Sequence, residues 1–228
     1  MTSITIRRPD GADCTALAVE PTQPTGAPGL VLIQEWWGIN DQIKGVADQY
    51  AAAGFRVLMP DLYRGKVGLD ANEAEHLMTN LNFADAASQD IRGAVQHLKS
   101  TGSIKVGVCG YCMGGALALL AAVLVPEADA IVSWYGFPPL EYIDASRITA
   151  PVMGHFATED AFFPIAMVDT LEAALANAGV QHTIHRYQAK HAFANETNID
   201  KPIPIEYDAS AAALARERTL EFLRRHLA

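Results

Sequence analysis

Apolar positions along the chain fall into short runs and longer periodic stretches, and their alternation sets the expected architecture. Mostly apolar runs at Leu30 to Ile33, Phe55 to Met59, Ile104 to Cys109, Ala130 to Trp134 and Val152 to Ala157 read as strands covered on both faces. His182 to Tyr187 alternates as a further strand. Between them lie helical patterns. Asn40 or Asp41 can cap a helix through Ala53, stopped by Gly54. Others run from Ala71 to Asn80, Ala84 to Lys99, Met113 to Val125, Pro164 to about Ala178 and Asp208 to Leu227. The pattern from Met113 is apolar nearly all round, so that helix is expected to be buried.

At the N-terminus, Ser3 to Arg8 and Thr15 to Val19 flank the turn Pro9-Asp10-Gly11, which predicts an antiparallel hairpin at a sheet edge. Pro21 to Gly29, Asp61 to Asp70 and Gln188 to Glu206 read as loops. Strands alternating with helices imply a mostly parallel, doubly wound α/β sheet with an N-terminal antiparallel edge hairpin. One domain over residues 1–228 accommodates all of it.

Composition narrows the function. Half the residues are hydrophobic and 19% are charged, as in a folded domain. The formal charge of −9 argues against a nucleic-acid partner. Ala116 to Val125, the longest apolar run, is far short of the ~20 residues that span a bilayer. Residues 1–14 lack the apolar core of a secretory signal. Three cysteines do not make a disulfide framework. A cytoplasmic protein, monomeric or weakly dimeric, with a small-molecule substrate and no metal or organic cofactor is expected.

The sharpest motif is Val106 to Ala116, where an apolar strand enters G-x-C-x-G-G and then an apolar helix. This is the shape of a nucleophile elbow, with Cys112 as the nucleophile, and Gly110 and Gly114 placed where a Cβ would clash. Active sites of doubly wound sheets lie beyond the strands' carboxyl ends. That rule selects Glu35, Trp36, Asp61, Cys112, Tyr135, Glu159, Asp160 and His191. A thiol needs a base to become thiolate, which His191 can supply, with Asp160 or its neighbour Glu159 orienting the ring. Backbone N–H groups of Met113 and Trp36 are the expected oxyanion donors. Trp36, Trp37, Phe137, Phe162, Phe163 and Phe193, with Tyr135 beside them, suggest an apolar pocket for a small ring.

Gln34-Glu35-x-x-Gly38, Pro60-Asp61-Leu62-Tyr63, Gly110 to Gly115, the Asp160 turn, His191-x-Phe193 and Ala211 to Leu220 together resemble the dienelactone hydrolase family, of α/β-hydrolase fold. The resemblance runs through nearly the whole chain. It implies a Cys112-His191-Asp160 triad that opens a lactone, or cleaves a small ester, through an acyl-enzyme. It favours Asp160 over Glu159, and makes Glu35 a base that helps deprotonate the cysteine when substrate binds. The family's substrate-carboxylate clamp is not matched. Its serine after the histidine and the arginine three residues on are Ala192 and Asn195 here. A second arginine, expected near Ala71 to Asn80, has no counterpart. Lys190 or Arg64 could stand in as point charges, and a shift of substrate preference away from anions is the expectation.

Two other classes compete. Cys109-Gly110-Tyr111-Cys112 is a C-x-x-C between strand and helix, as in thioredoxin-like redox sites, although the Gly114-Gly115 pair has no role there. A hydrolase-fold protein that binds without turnover is the other. His155, His182 and His185 fall in or beside strands and read as structural, as do Cys14 and Cys109.

Overall fold

The computed structural model describes residues 1–199 and 203–228. Eight strands form one sheet: β1 (Thr2–Arg7), β2 (Asp13–Val19), β3 (Gly29–Ile33), β4 (Arg56–Pro60), β5 (Val106–Tyr111), β6 (Ala130–Trp134), β7 (Val152–Ala157) and β8 (His182–Tyr187). Their spatial order is β1-β2-β4-β3-β5-β6-β7-β8. β1 and β2 pair antiparallel, β2 pairs antiparallel with β4, and every pairing from β4 to β8 is parallel. The expected hairpin is therefore present at the sheet edge.

The side-chain period of two divides the core into halves. Val31 and Ile33 of β3 with Val106 and Val108 of β5 join one cluster, together with α4 (Arg92–Ser100), α5 (Met113–Leu124) and α6 (Ile165–Asn177). Leu30, Leu32, Cys109 and Tyr111 point the other way, against α1 (Asp41–Ala52) and α7 (Ala209–Leu227). The continuously apolar strands are explained by burial on both faces. α5 is buried along almost its whole length, and each of its buried leucines contributes about 1.5–3 kcal/mol of burial.

β3 lies between β4 and β5. The chain leaves β3 for β4 through α1 on one face and reaches β5 through α4 on the other. β3 is thus the point where the winding reverses, and the carboxyl ends of β3 and β5 open a crevice there.

The structure reshapes two expected elements. Val106 N donates to the Asp129 carboxylate at 2.8 Å and Ile104 is 84% exposed, so β5 starts two residues later and runs on to Tyr111. The stretch read as one helix from Ala84 is α3 (Phe83–Asp85), a π-helical segment (Ala86–Ile91) and α4. The π segment holds Asp90, 1% exposed, against Arg8 and Arg64, a tertiary ion cluster invisible to helical periodicity. The loop after Trp134 carries short 3-10 turns at Leu140–Tyr142 and Ala145–Arg147. α2 (Ala71–Thr79) forms as expected, with Asp70 as its N-cap, and no described helix is long and apolar enough to cross a membrane.

Candidate active site

Cys112 sits between β5 and α5 with φ 54° and ψ −116°, a strained conformation for a residue with a Cβ. The turn is sharp because Gly110 packs under it. A Cβ there would lie 1.9 Å from Gly114 O. Gly114 is constrained by a different neighbour than expected, since its Cβ would meet the Ile33 and Gln34 carbonyls at 2.5 Å. The second glycine lets α5 approach the end of β3, bringing Glu35 and Cys112 to one cavity.

His191 connects the site. Its Nε2 is 3.1 Å from Cys112 Sγ and its Nδ1 is 2.7 Å from Asp160 Oδ2. The other Asp160 oxygen accepts the Phe162 and Phe163 N–H groups at 2.8 and 2.9 Å, so the turn after β7 fixes this carboxylate before it meets the histidine. Glu159 is exposed. Burial opposes a charge on His191, but Cys112 and Asp160, facing its two nitrogens, outweigh it and lift the imidazole pKa to about 10. Phe163 stacks on the ring and Phe162 meets it edge-on.

Glu35, 4% exposed, forms a second polar group in the same cavity. Asn195 Nδ2 donates to one of its oxygens at 2.7 Å and Tyr135 Oη to the other at 3.1 Å. Thr197 donates from its N–H and hydroxyl to Asn195 Oδ1, which fixes the amide with its NH2 toward Glu35. Burial pushes the Glu35 pKa up, against the opposite pull of Asn195, His191 and Tyr135.

The cavity above these groups is about 370 Å³. It is lined by Glu35, Trp36, Trp37, Cys112, Met113, Phe137, Phe162 and His191 from the sequence-based set. Three expected pocket residues are elsewhere. Tyr135 and Phe193 are fully buried beneath the site, where Tyr135 holds Glu35 and packs edge-on against Phe193. Lys190 pairs with Glu206 at the surface and does not line the cavity. Arg64 is no stand-in cation either, because it forks onto Asp90. Phe163, from the expected aromatic set, also lines the cavity, whereas Glu75 and Met78 of α2, Phe83, Ile203 and Ile205 are wall residues that had not been singled out. The i, i+3 spacing of Glu75 and Met78 was visible, but which face of α2 meets the cavity is settled by packing alone.

Cys109 and Cys112 have separate surroundings. Cys109 is wholly buried with its thiol 3.6 Å from Tyr50 Oη, and burial pushes its pKa up to about 12 despite the neighbouring Tyr50 hydroxyl. Such a thiol is a poor redox partner. Among the described residues no group of three or more His, Cys, Asp or Glu side chains is placed to hold a metal ion. His155 is buried between Tyr187 and Thr219, as a structural histidine should be.

The chain is similar to known proteins over most of its length. Residues 14–227 match the sequence profile of the dienelactone hydrolase family. The chain belongs to the dienelactone hydrolase family. Protein usf of Aquifex pyrophilus is 33% identical over 216 residues, covering 90% of this chain and 91% of that protein. The carboxymethylenebutenolidase of Pseudomonas putida is 31% identical over 235 residues, covering 96% and 94%. A dienelactone hydrolase-like promiscuous phosphotriesterase from metagenomic libraries superposes with a TM-score of 0.87 at 24% identity, over 100% of this chain and 99% of that one. That structural likeness establishes the α/β-hydrolase fold. As a dienelactone hydrolase family member the protein is a hydrolase of the carboxylic-ester class.

Proposed function

We propose that the protein opens lactones or cleaves small esters through a thiol acyl-enzyme on Cys112. The observation that carries this reading is His191 bridging Cys112 Sγ and Asp160 at the floor of an apolar cavity. His191 holds the proton taken from the Cys112 thiol, its imidazolium favoured by Cys112 and Asp160, while Cys112 Sγ attacks the substrate carbonyl carbon. The tetrahedral oxyanion accepts hydrogen bonds from the backbone N–H groups of Met113 and Trp36. Met113 is well suited, since the first N–H groups of α5 have no partner within the helix. His191 then protonates the departing alkoxide, which stays tethered in the acyl group when a lactone ring opens. For deacylation it takes a proton from water, whose oxygen attacks the thioester and releases Cys112. Asp160 holds the ring tautomer and stabilises the imidazolium. Glu35, lining the same cavity, is a second base that assists thiol ionisation when substrate enters.

The test is a kinetic panel of charged and neutral lactones and esters on wild type and Cys112→Ala, with intact-mass detection of the acylated protein after rapid quenching. Turnover should fall at least about 10³-fold in the variant, and a mass increase of one acyl group should map to Cys112. Unchanged turnover in Cys112→Ala would refute the reading.

A further inference from the structure

The charge preference of the cavity follows from its walls, given the reading of the cavity as an esterase site. Glu75 lies on α2, is exposed, and lines the cavity on the same helix face as Met78. No ion pair or hydrogen bond engages its side chain among the described residues. The described lining contains no lysine or arginine, and its other carboxylate is Glu35. Around these acids the walls are aromatic, including Trp36 and Trp37, whose rings meet edge-on at 5.0 Å, and Phe83 and Phe137.

A carboxylate substrate entering this space loses water, meets no lysine or arginine among the described lining residues, finds the charge of His191 already paired with Asp160, and approaches two acids. A quaternary ammonium group meets the opposite conditions, since aromatic faces attract a weakly hydrated cation and a carboxylate attracts it further. We propose that Glu75 is a specificity-determining residue, and that the site accepts ammonium-bearing esters over isosteric neutral ones and disfavours carboxylate-bearing ones. Glu75 acts on substrate capture and plays no part in bond making. Its effect therefore appears in KM, with kcat little different between the cationic substrate and its neutral isostere.

The test uses three phenyl acetates whose para substituent is attached through a methylene, which keeps the leaving phenols similar. The substituents are trimethylammonium, tert-butyl and carboxylate. Values of kcat and KM are measured for wild type, Glu75→Gln and Glu75→Lys at low and high salt, with Cys112→Ala as background. Glu221→Gln, on α7 outside the cavity lining, controls for a general loss of negative charge. In wild type at low salt the cationic ester should exceed the neutral one by about fivefold in kcat/KM, with the carboxylate lowest. That ratio should fall toward one in Glu75→Gln, invert in Glu75→Lys, shrink with salt, and persist in Glu221→Gln. A ratio equal in wild type and Glu75→Gln, with turnover still dependent on Cys112, overturns the proposal and leaves the esterase reading standing. Absence of any Cys112-dependent turnover of the three esters overturns both.

Discussion

Replacing Glu35 by glutamine isolates what a buried acid does to this fold. The carboxyl is 4% exposed and is hydrogen-bonded by the neutral donors Asn195 and Tyr135 at 2.7 and 3.1 Å. Glutamine keeps the shape, because its oxygen accepts from Asn195 and its NH2 donates to the Tyr135 hydroxyl, which can accept. Only the charge is lost. Burial raises the Glu35 pKa above its unfolded value. Its stabilising contribution is therefore fully present below the ordinary glutamate range and is lost as pH rises through the raised folded value. Glutamine undergoes no such loss, so Glu35→Gln gains on wild type as pH increases. Two hydrogen bonds to the charge offset part of the penalty of burying it, which leaves a gain of about 1–2 kcal/mol at the alkaline end. For a chain of 228 residues, about 1 kcal/mol moves Tm by ~2–4 °C. Thermal unfolding of both proteins near pH ~4 and near pH ~8 measures it, with urea midpoints as a check on reversibility. A Tm difference that does not change with pH, or that falls as pH rises, would refute the reasoning.

Other expectations follow from the same geometry. Asn195→Ala removes a bond that favours the charged form of Glu35, so the acid limb of the kcat/KM profile should move to higher pH; an unmoved limb would mean Asn195 does not position this acid. Iodoacetamide at neutral pH should label Cys112 alone in the folded protein, since burial lifts both Cys14 and Cys109 to about 12, and peptide mapping reads the site. Gly110→Ala places a Cβ 1.9 Å from Gly114 O and should destabilise by at least about 4 kcal/mol, seen as loss of soluble protein or a collapsed urea midpoint.

Much of this molecule was legible because its local rules agree with one another. Strands buried on both faces must be apolar throughout, so β3, β6 and β7 announce themselves, and Asn40, Asp70 and Asp208 cap helices by local side-chain bonds. The elbow was readable for a related reason. A strand-to-helix turn that tight tolerates no Cβ at Gly110, and that demand is written within a few residues of Cys112. The preference for Asp160 over Glu159 came from the family resemblance and not from a local pattern; in the fold the Asp160 carboxylate accepts the Phe162 and Phe163 N–H groups while Glu159 faces solvent.

The sequence by itself thus determined the sheet, the elbow and the residues grouped beyond the strand ends, since periodicity and turn chemistry act over short stretches of chain. Tertiary structure alone decided what those residues face. Asn195 meets Glu35 across 160 positions. Tyr135, expected in the pocket, lies beneath it and holds the same carboxylate. Lys190 goes to Glu206 and Arg64 to Asp90, while Glu75 on α2 reaches the cavity wall. The direction a charged side chain takes depends on which partners the fold brings near it, and no local pattern encodes that.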